Sequence, residues 1–358
     1  MISEINEIAE PKAAVDLIAR DFPNHIDIDL SNKCNLRCRF CHLSFHEPEK
    51  WQQISYDQFL KIAPALEKVE TVSLFSKYEP LTCRDFIPIF DKICEYDAET
   101  YFSTNGILLK DDIIDALVGR LTYLTVSVTG FTRESYTKNM GQDRLETVRE
   151  NLTKLNAAKK AANTIYPKLR ITFVGMLDTL DELCRSLDFA AEFEASEGVR
   201  MTYFRSHDES LRENMPLNEP KVVTAAIDEA KAYAQRLGIS FEPIGGTMDE
   251  IEARMDEALG HRWCDLPWET LSLQPNGDVY PCSVAYTKVG NFFENTLEEI
   301  WSSKELAAFR DGVNNPDQLN EDCRQCSHCH YGSVLDPAAN DFSVAEEFFG
   351  GLKRKQTN

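Results

Sequence analysis

The sequence predicts an α/β fold of parallel strands joined by crossover helices, followed by a small cysteine-rich extension. β-rich runs alternate with helical patterns six times between residues 25 and 240. Eight of the 11 cysteines fall into two groups, one near the start of the chain and one near its end. The regular pattern stops near Trp263. Together these observations place a domain boundary near 240 to 260.

Six short runs of apolar and β-branched residues are the predicted strands. They are His25–Leu30, Thr71–Phe75, Thr100–Ser103, Tyr123–Val128, Leu169–Gly175 and Val199–Phe204. Helices between them begin at recognisable caps: Ser55 is followed three residues later by Gln58, and Asp111 starts a further helix. Pro64 should interrupt or restart the first crossover helix, because proline has no backbone N–H. The other helical patterns span 144–162, 180–193 and 219–237.

Charge and hydropathy exclude several classes of partner. With a net charge of −21, we expect no nucleic-acid partner and a neutral or cationic substrate. No apolar run approaches the roughly 18 residues that span a bilayer, and segment 1–10 is acidic where a secretory signal is basic. We therefore expect a cytoplasmic protein without a membrane partner. Clustered cysteines in that reducing compartment indicate metal ligands rather than disulfides.

The first cysteine group is Cys34, Cys38 and Cys41, with the spacing C-x-x-x-C-x-x-C directly after an apolar strand. Three thiolates on one short loop can hold three irons of a 4Fe–4S cluster and leave the fourth iron open to a substrate. The alternative is a zinc site, which needs four ligands, so His42 or His46 would have to complete it.

This triad resembles that of the radical S-adenosylmethionine (SAM) superfamily. There it follows the first strand of a partial (β/α)6 TIM-like barrel, and an aromatic residue, here Phe40, precedes the third cysteine. Lys77-Tyr78-Glu79-Pro80-Leu81 is similar to the family's G-G-E-P-L, whose acidic residue holds the amino group of SAM. Glu79 keeps the negative charge of the family motif. Lys77 and Tyr78 stand in place of both glycines, so the sequence does not determine the shape of this loop.

Three later strand ends also resemble SAM-binding segments. Ser103-Thr104-Asn105-Gly106 is similar to the family's T-N-G, and Ser127 lies where the family places a polar side chain near the ribose. Gly175 ends the fifth strand, where family members lay backbone against the adenine, although core packing is the alternative there. The resemblance thus implies a cofactor site formed by Phe40, Lys77, Tyr78, Glu79, Ser103, Asn105, Ser127 and Gly175.

The second cysteine group resembles the auxiliary-cluster extensions called SPASM and twitch. In these extensions a cysteine is followed by G-x-x-x-x-C, then by a helix with an Ile-Trp pair, and then by C-x-x-C. The same order is present here. The shorter twitch type, with one additional 4Fe–4S cluster, is implied because no cysteine follows Cys329. Its ligands would be Cys264, Cys282, Cys323 and Cys326. Cys329 would then replace Cys323, donate a hydrogen atom or be a plain thiol, and a zinc ribbon is the alternative for the whole group.

The resemblance also implies the domain organisation and the candidates for substrate contact. We predict an N-terminal extension at 1–24, the radical SAM barrel at 25–240, the auxiliary-cluster domain at 241–340 and a tail at 341–358. Cys83 is a candidate for the site because it follows Glu79 closely. For Arg205, the alternative to substrate contact is a salt bridge at the rim of the barrel. Cys94 and Cys184 are expected to be small buried hydrophobes. The candidates for contact with the substrate are Cys329, Cys83, Tyr203, Arg205 and His207.

The implied reaction is reductive cleavage of SAM to a 5′-deoxyadenosyl radical that removes a substrate hydrogen atom, while the auxiliary cluster assists oxidation. A low-potential donor such as flavodoxin or ferredoxin would supply the electron. Only 33 residues precede Cys34, too few for a leader-binding domain, so we expect a small molecule such as a sugar, cyclitol or aminoglycoside precursor. A peptide maturase that forms a cross-link or an epimer is the alternative. A non-catalytic iron–sulfur electron carrier or a zinc-binding module is the alternative of another class.

Overall fold

The structure is a computed structural model that describes residues 20–206, 208–244, 246–247, 264–315, 317–324, 326 and 352–354. His207 and Cys329 lie outside the described residues, so their predicted roles stay predictions. Across these ranges, no helix is both long and apolar enough to cross a membrane.

One long sheet organises the described part of the chain. The strands are β1 His25–Ile28, β2 His46–Pro48, β3 Thr71–Ser73, β4 Glu99–Thr104, β5 Tyr123–Ser127, β6 Lys168–Gly175, β7 Val199–Tyr203, β8 Phe241–Pro243, β9 Thr270–Leu273, β10 Asp278–Tyr280, β11 Gly290–Asn291 and β12 Leu352–Arg354. The sheet has the order β11-β10-β9-β1-β3-β4-β5-β6-β7-β8. Its strands from β9 to β8 run parallel, whereas β10 and β11 are antiparallel. The predicted parallel α/β fold is confirmed, and its six strands are β1 and β3 to β7.

Helices connect the parallel strands as crossovers. The described α-helices are α1 Tyr56–Phe59, α2 Phe86–Ile93, α3 Asp111–Leu117, α4 Arg133–Met140, α5 Leu145–Ala161, α6 Leu183–Glu192, α7 Pro220–Leu237, α8 Leu297–Trp301, α9 Lys304–Asp311 and α10 Glu321–Arg324. Ser55 and Gln58 form the predicted capping box at the start of α1. The first crossover helix restarts at Pro64 as predicted, because this proline lies in the first turn of a separate 3-10 helix, Ala63–Lys68.

The hydrophobic core lies between the sheet and these helices. In β6, Leu169, Ile171 and Phe173 are fully buried, and they alternate with half-buried residues. In α5, Val148, Leu152 and Leu155 recur at helical spacing and are also fully buried. The two-residue period of β6 and the helical period of α5 therefore each bury one face of the element in the shared core.

The segment after residue 264 extends the barrel sheet. Strand β9 pairs in parallel with β1, with Ile26 opposite Leu271. A tight turn then leads into β10, and Gly277 takes φ +90° there. A Cβ at Gly277 would lie 2.5 Å from Oδ1 of Asn291, so only glycine fits. Strand β12 pairs antiparallel with β2, next to the first cysteine loop.

Candidate metal and cofactor site

The buried carboxylate of Asp29 joins three strand ends at the base of the site. Its Oδ1 accepts hydrogen bonds from the backbone N–H groups of Ser76 at 2.9 Å and of Lys77 at 3.2 Å. Its Oδ2 accepts from the Ser76 hydroxyl and, at 2.8 Å, from Nε2 of Gln274. Burial raises the pKa of Asp29, and the bonds from Ser76 oppose that shift. The carboxylate thus fastens the ends of β1, β3 and β9 to one another.

The first cysteine group lies on the loop that follows β1. The Cys41 N–H donates to the carbonyl of Cys38 at 2.9 Å, and the Ser44 hydroxyl donates to the same oxygen at 2.6 Å. Burial, followed by repulsion from Glu79, raises the pKa of the Cys34 thiol to about 12. Burial, followed by repulsion from Cys41 and Cys34, raises the pKa of Cys38. The three thiols therefore face a common space in which negative charge is unfavourable without a metal.

Helix α4 supports this loop from the side. The Arg39 N–H donates to the carbonyl of Asn139 at 3.0 Å, and Nε of Arg39 donates to Oδ1 of the same residue at 2.8 Å. The helix ends at Gly141, where φ is +82°. A Cβ at Gly141 would lie 2.4 Å from the carbonyl oxygen of Arg37. Glycine therefore permits the close approach that holds the loop in place.

Glu79 is buried and held by three donors. Its Oε1 accepts from the Thr104 hydroxyl at 2.8 Å and from the Leu81 N–H at 3.2 Å, and its Oε2 accepts from the Asn105 N–H at 2.8 Å. Burial raises the pKa of Glu79 to about 7, and the bonds from Asn105, Thr104 and Leu81 oppose that shift. A cation placed beside the carboxylate would lower its pKa again.

Asn105 connects the turn after β4 to the cysteine loop. Its Nδ2 donates to Oδ1 of Asn35 at 2.7 Å and lies 3.9 Å from the sulfur of Cys34. On the same edge of the sheet, the hydroxyls of Ser103 and Ser127 lie 3.2 Å apart. Glu79 after β3, Ser103 and Asn105 at the end of β4, and Ser127 at the end of β5 were predicted to bind SAM. They thus lie at one edge of the sheet, next to the cysteine triad.

The remaining predicted cofactor residues surround this edge. Phe40 packs against a small apolar cluster that contains Met176 and Phe204. Gly175 ends β6, and a Cβ there would lie 2.9 Å from the sulfur of Met201. Tyr78 is buried, and its ring lies edge-on to that of His42 at 6.1 Å. These contacts place each residue near the cysteine loop or at a strand end.

Lys77 points toward the second cysteine group. Its Nζ lies 5.8 Å from the ring centroid of Tyr280, two residues before Cys282. Burial lowers the pKa of Lys77, and the charges of Asp29 and Cys282 oppose that shift. A residue predicted to contact SAM therefore lies between the two cysteine groups.

The second cysteine group forms one buried cluster. Cys264, Cys282, Cys323 and Cys326 line a single cavity, together with apolar residues that include Phe309. Burial, followed by repulsion from Cys326 and Cys264, raises the pKa of Cys282. Burial, followed by repulsion from Cys264 and Cys326, raises the pKa of Cys323 to about 12. Asp322 also lines this cavity, but its carboxylate accepts hydrogen bonds from the N–H groups of Tyr286 and Thr287 and from the Thr287 hydroxyl. The four thiols are therefore a suitable donor set for an iron–sulfur cluster.

The structure places the substrate candidates in different surroundings. The Tyr203 hydroxyl donates to the carbonyl of Gly246 at 2.8 Å, near the end of β7. Burial lowers the pKa of the half-buried Arg205, and the charge of Cys326 opposes that shift. Cys83 is buried, and its thiol donates to the carbonyl of Ile54 at 3.5 Å. Cys94 and Cys184 were expected to be buried but are half-buried.

Sequence reasoning missed Asp29, Gln274 and Asn139. One signal was available for Asp29, because a charged residue at the end of an apolar strand is rarely buried without partners. Gln274 and Asn139 carry no local signal, because their partners are distant in the sequence.

The donor sets are of the kind that holds iron–sulfur clusters. The three thiols of the first loop repel one another electrostatically, and the four of the second group line one cavity. Cysteine thiolates are the usual ligands of such clusters.

Comparison with known proteins agrees with this geometry. Residues 28–190 match the family model of the radical SAM superfamily, and residues 264–329 match that of SPASM, an iron–sulfur cluster-binding domain. A probable GTP 3′,8-cyclase of Saccharolobus islandicus is 24% identical over 52% of this chain and 61% of its own length. The PqqA peptide cyclase of Granulibacter bethesdensis is 22% identical over 83% of this chain and 78% of its own length. The chain thus spans less than two thirds of the first relative.

Among solved structures, Streptococcus suis SuiB bound to the precursor peptide SuiA superimposes with a TM-score of 0.66 at 17% identity. The superposition covers 89% of this chain and 71% of SuiB, and it confirms the predicted barrel with its extension. The two matched domain types bind a 4Fe–4S cluster with SAM and an auxiliary cluster. The chain therefore belongs to the radical SAM superfamily and carries a SPASM-type iron–sulfur domain in residues 264–329.

Proposed function

We propose that this chain is a radical SAM oxidoreductase in which Cys34, Cys38 and Cys41 hold the cluster that binds SAM. The convergence of these three thiols at the end of β1 carries the proposal. When bound, the cluster and SAM supply one-electron cleavage of the sulfonium bond and removal of a substrate hydrogen atom. A low-potential flavodoxin or ferredoxin supplies the electron.

The residues at the strand ends orient SAM. The Glu79 carboxylate would accept a hydrogen bond from the amino group of SAM, and Oε2 is the suitable oxygen because Oε1 already accepts two protein donors. Ser103 and Ser127 would hold the ribose, and the backbone at Gly175 would hold the adenine. The Asn105 side chain keeps the turn against the cysteine loop.

Cys264, Cys282, Cys323 and Cys326 hold the auxiliary cluster in their shared cavity. Cys329 is then a spare thiol. Lys77 and Arg205 lie within electrostatic reach of Cys282 and Cys326, respectively. Positive charge on these two residues would stabilise the added negative charge of a reduced cluster in this cavity.

We infer a peptide as the substrate, and a small molecule is the second candidate. The PqqA peptide cyclase match extends through the auxiliary domain, whereas the GTP 3′,8-cyclase match covers only about half of the chain. The GTP 3′,8-cyclase is named for a nucleotide substrate, which keeps a small molecule as the second candidate. The outcome on a peptide is a cross-link, and on a small molecule it is a dehydrogenation.

The proposal is tested with anaerobically reconstituted protein, SAM and a low-potential reductant. We expect 5′-deoxyadenosine to be released, and iron to fall from about eight to about four per chain in a Cys34/Cys38/Cys41 triple alanine variant. A matched control, Cys94→Ala, should keep all the iron. A silent assay with full iron content would favour a non-catalytic carrier.

Substrate class is tested with deuterated candidates. Small peptides and candidate sugars or cyclitols, each deuterated at carbon, are incubated with the active protein. Transfer of deuterium into 5′-deoxyadenosine identifies the class that provides the hydrogen atom. Transfer from the sugars or cyclitols alone would reject the peptide.

A further inference from the structure

The hydroxyl of Tyr136 is a buried donor without a partner. Tyr136 lies on α4 and is 0% exposed. Among the residues that the structure describes, none offers a hydrogen-bond partner to its hydroxyl. A buried hydroxyl that has left water without a new partner is unfavourable, so such groups are rare in folded proteins. A partner that the protein itself does not provide would explain this position.

The helix face that carries Tyr136 points at the first cysteine loop. Met140 lies one turn further along α4, on the same face. Its sulfur is 3.9 Å from that of Cys38. The tyrosine is also close enough to Cys38 for the thiolate charge to raise its pKa, after the larger effect of burial. The ring and the thioether together form one wall of the space beside Cys38.

The position of α4 is fixed at both ends, so this wall does not result from a loose helix. At the start of the helix, the Phe131 N–H donates to Oε2 of Glu182 at 2.7 Å. The Ser135 hydroxyl donates to the same oxygen at 3.0 Å. At the end, Asn139 and Gly141 hold the helix against the cysteine loop.

We propose that the Tyr136 hydroxyl donates a hydrogen bond to a sulfur of the SAM-binding cluster, either the Cys38 thiolate or an adjacent sulfide, and thereby raises its reduction potential. The inference rests on the proposed ligation by Cys38. Thiolates and sulfides are acceptors without donor hydrogens, so they suit a donor that lacks a partner. A reduced cluster carries one more negative charge, and a donor to its sulfur stabilises that state more than the oxidised one.

The test is a potentiometric titration of the full-length holoprotein, followed by electron paramagnetic resonance. The signal of the auxiliary cluster is measured separately in the Cys34/Cys38/Cys41 triple alanine variant and subtracted. At the potential where the wild-type cluster is half reduced, we expect the ratio of reduced to oxidised cluster in Tyr136→Phe to be about tenfold lower. The matched control is Tyr101→Phe, whose hydroxyl lies 3.4 Å from His25 near the opposite end of β4.

A second variant keeps the shape of the residue. Placing 3-fluorotyrosine at position 136 makes the hydroxyl a stronger donor, so the ratio should move in the opposite direction. This variant also decides the question if Tyr136→Phe fails to retain its cluster. Unchanged potentials in both variants, or an equal shift in Tyr101→Phe, would overturn the inference.

The two proposals fail in different ways. If the triple alanine variant keeps all its iron, the proposed ligation by Cys38 is wrong, and the role of Tyr136 falls with it. If the wild type binds two clusters and releases 5′-deoxyadenosine while position 136 leaves the potential unchanged, only the role of Tyr136 is wrong.

Discussion

Protonation of Glu79 should control the affinity for SAM. Burial raises the pKa of this carboxyl to about 7 in the cofactor-free protein, from an ordinary value of 4.5. Below that pH the carboxyl is neutral and accepts a hydrogen bond from the amino group poorly. Above it the carboxylate is charged and accepts that hydrogen bond well, whether the amino group is protonated or neutral. Affinity should therefore rise with pH through about 7 and then level off, so binding at pH 6 should be about tenfold weaker than at pH 8.

Replacing the carboxylate should remove both the affinity and its pH dependence. In Glu79→Gln, the ionic hydrogen bond to the amino group is lost, which weakens SAM binding by about 10- to 100-fold at pH 8. The profile between pH 6 and 8 should become flat. The matched control is Glu95→Gln, because Glu95 is exposed and pairs with Lys92 far from the site.

Isothermal titration calorimetry on the oxidised, anaerobic holoprotein measures this affinity without cleavage of SAM. The dissociation constant is determined at several pH values for the wild type and both variants. A flat wild-type profile would refute the titration of Glu79 near neutral pH. A Glu79→Gln variant that binds SAM as tightly as the wild type would refute the contact itself.

Three further predictions concern the scaffold and the second cluster. Asp29→Asn replaces a carboxylate that accepts four hydrogen bonds with an amide that has one acceptor oxygen. Chemical denaturation should therefore show that the free energy of unfolding falls by about 3 kcal/mol. A decrease smaller than the error of the fit would contradict this prediction. Gly141→Ala places a side chain on a residue with left-handed backbone, against the carbonyl of Arg37. Thermal unfolding should show that the free energy of unfolding falls by about 2 kcal/mol or more, and the iron content should fall as well. If neither value changes, the loop adapts to the side chain and the prediction is wrong. Cys282→Ala should lose about half of the iron by colorimetric analysis, whereas Cys184→Ala should lose none, and equal iron in both would remove Cys282 from the auxiliary site.

Local patterns were sufficient to predict most of the fold. The strands β1 and β3 to β7 were predicted within two residues at each end, because their apolar alternation and flanking caps are encoded over a few neighbouring positions. The placement of Glu79 and Asn105 near the cysteine loop also followed from the sequence, since the carboxyl ends of parallel strands meet at one edge.

The sequence by itself determined the strands and crossover helices of the barrel core, the two cysteine groups and the polar residues at the strand ends, because each depends on spacing within a short segment. Only the tertiary structure decided which distant residues meet. Asp29 and Gln274 are 245 positions apart, and Cys38 and Met140 are 102 apart. Such contacts depend on how β9 joins β1 and how α4 packs on the loop, and this packing reflects the whole core rather than any local pattern.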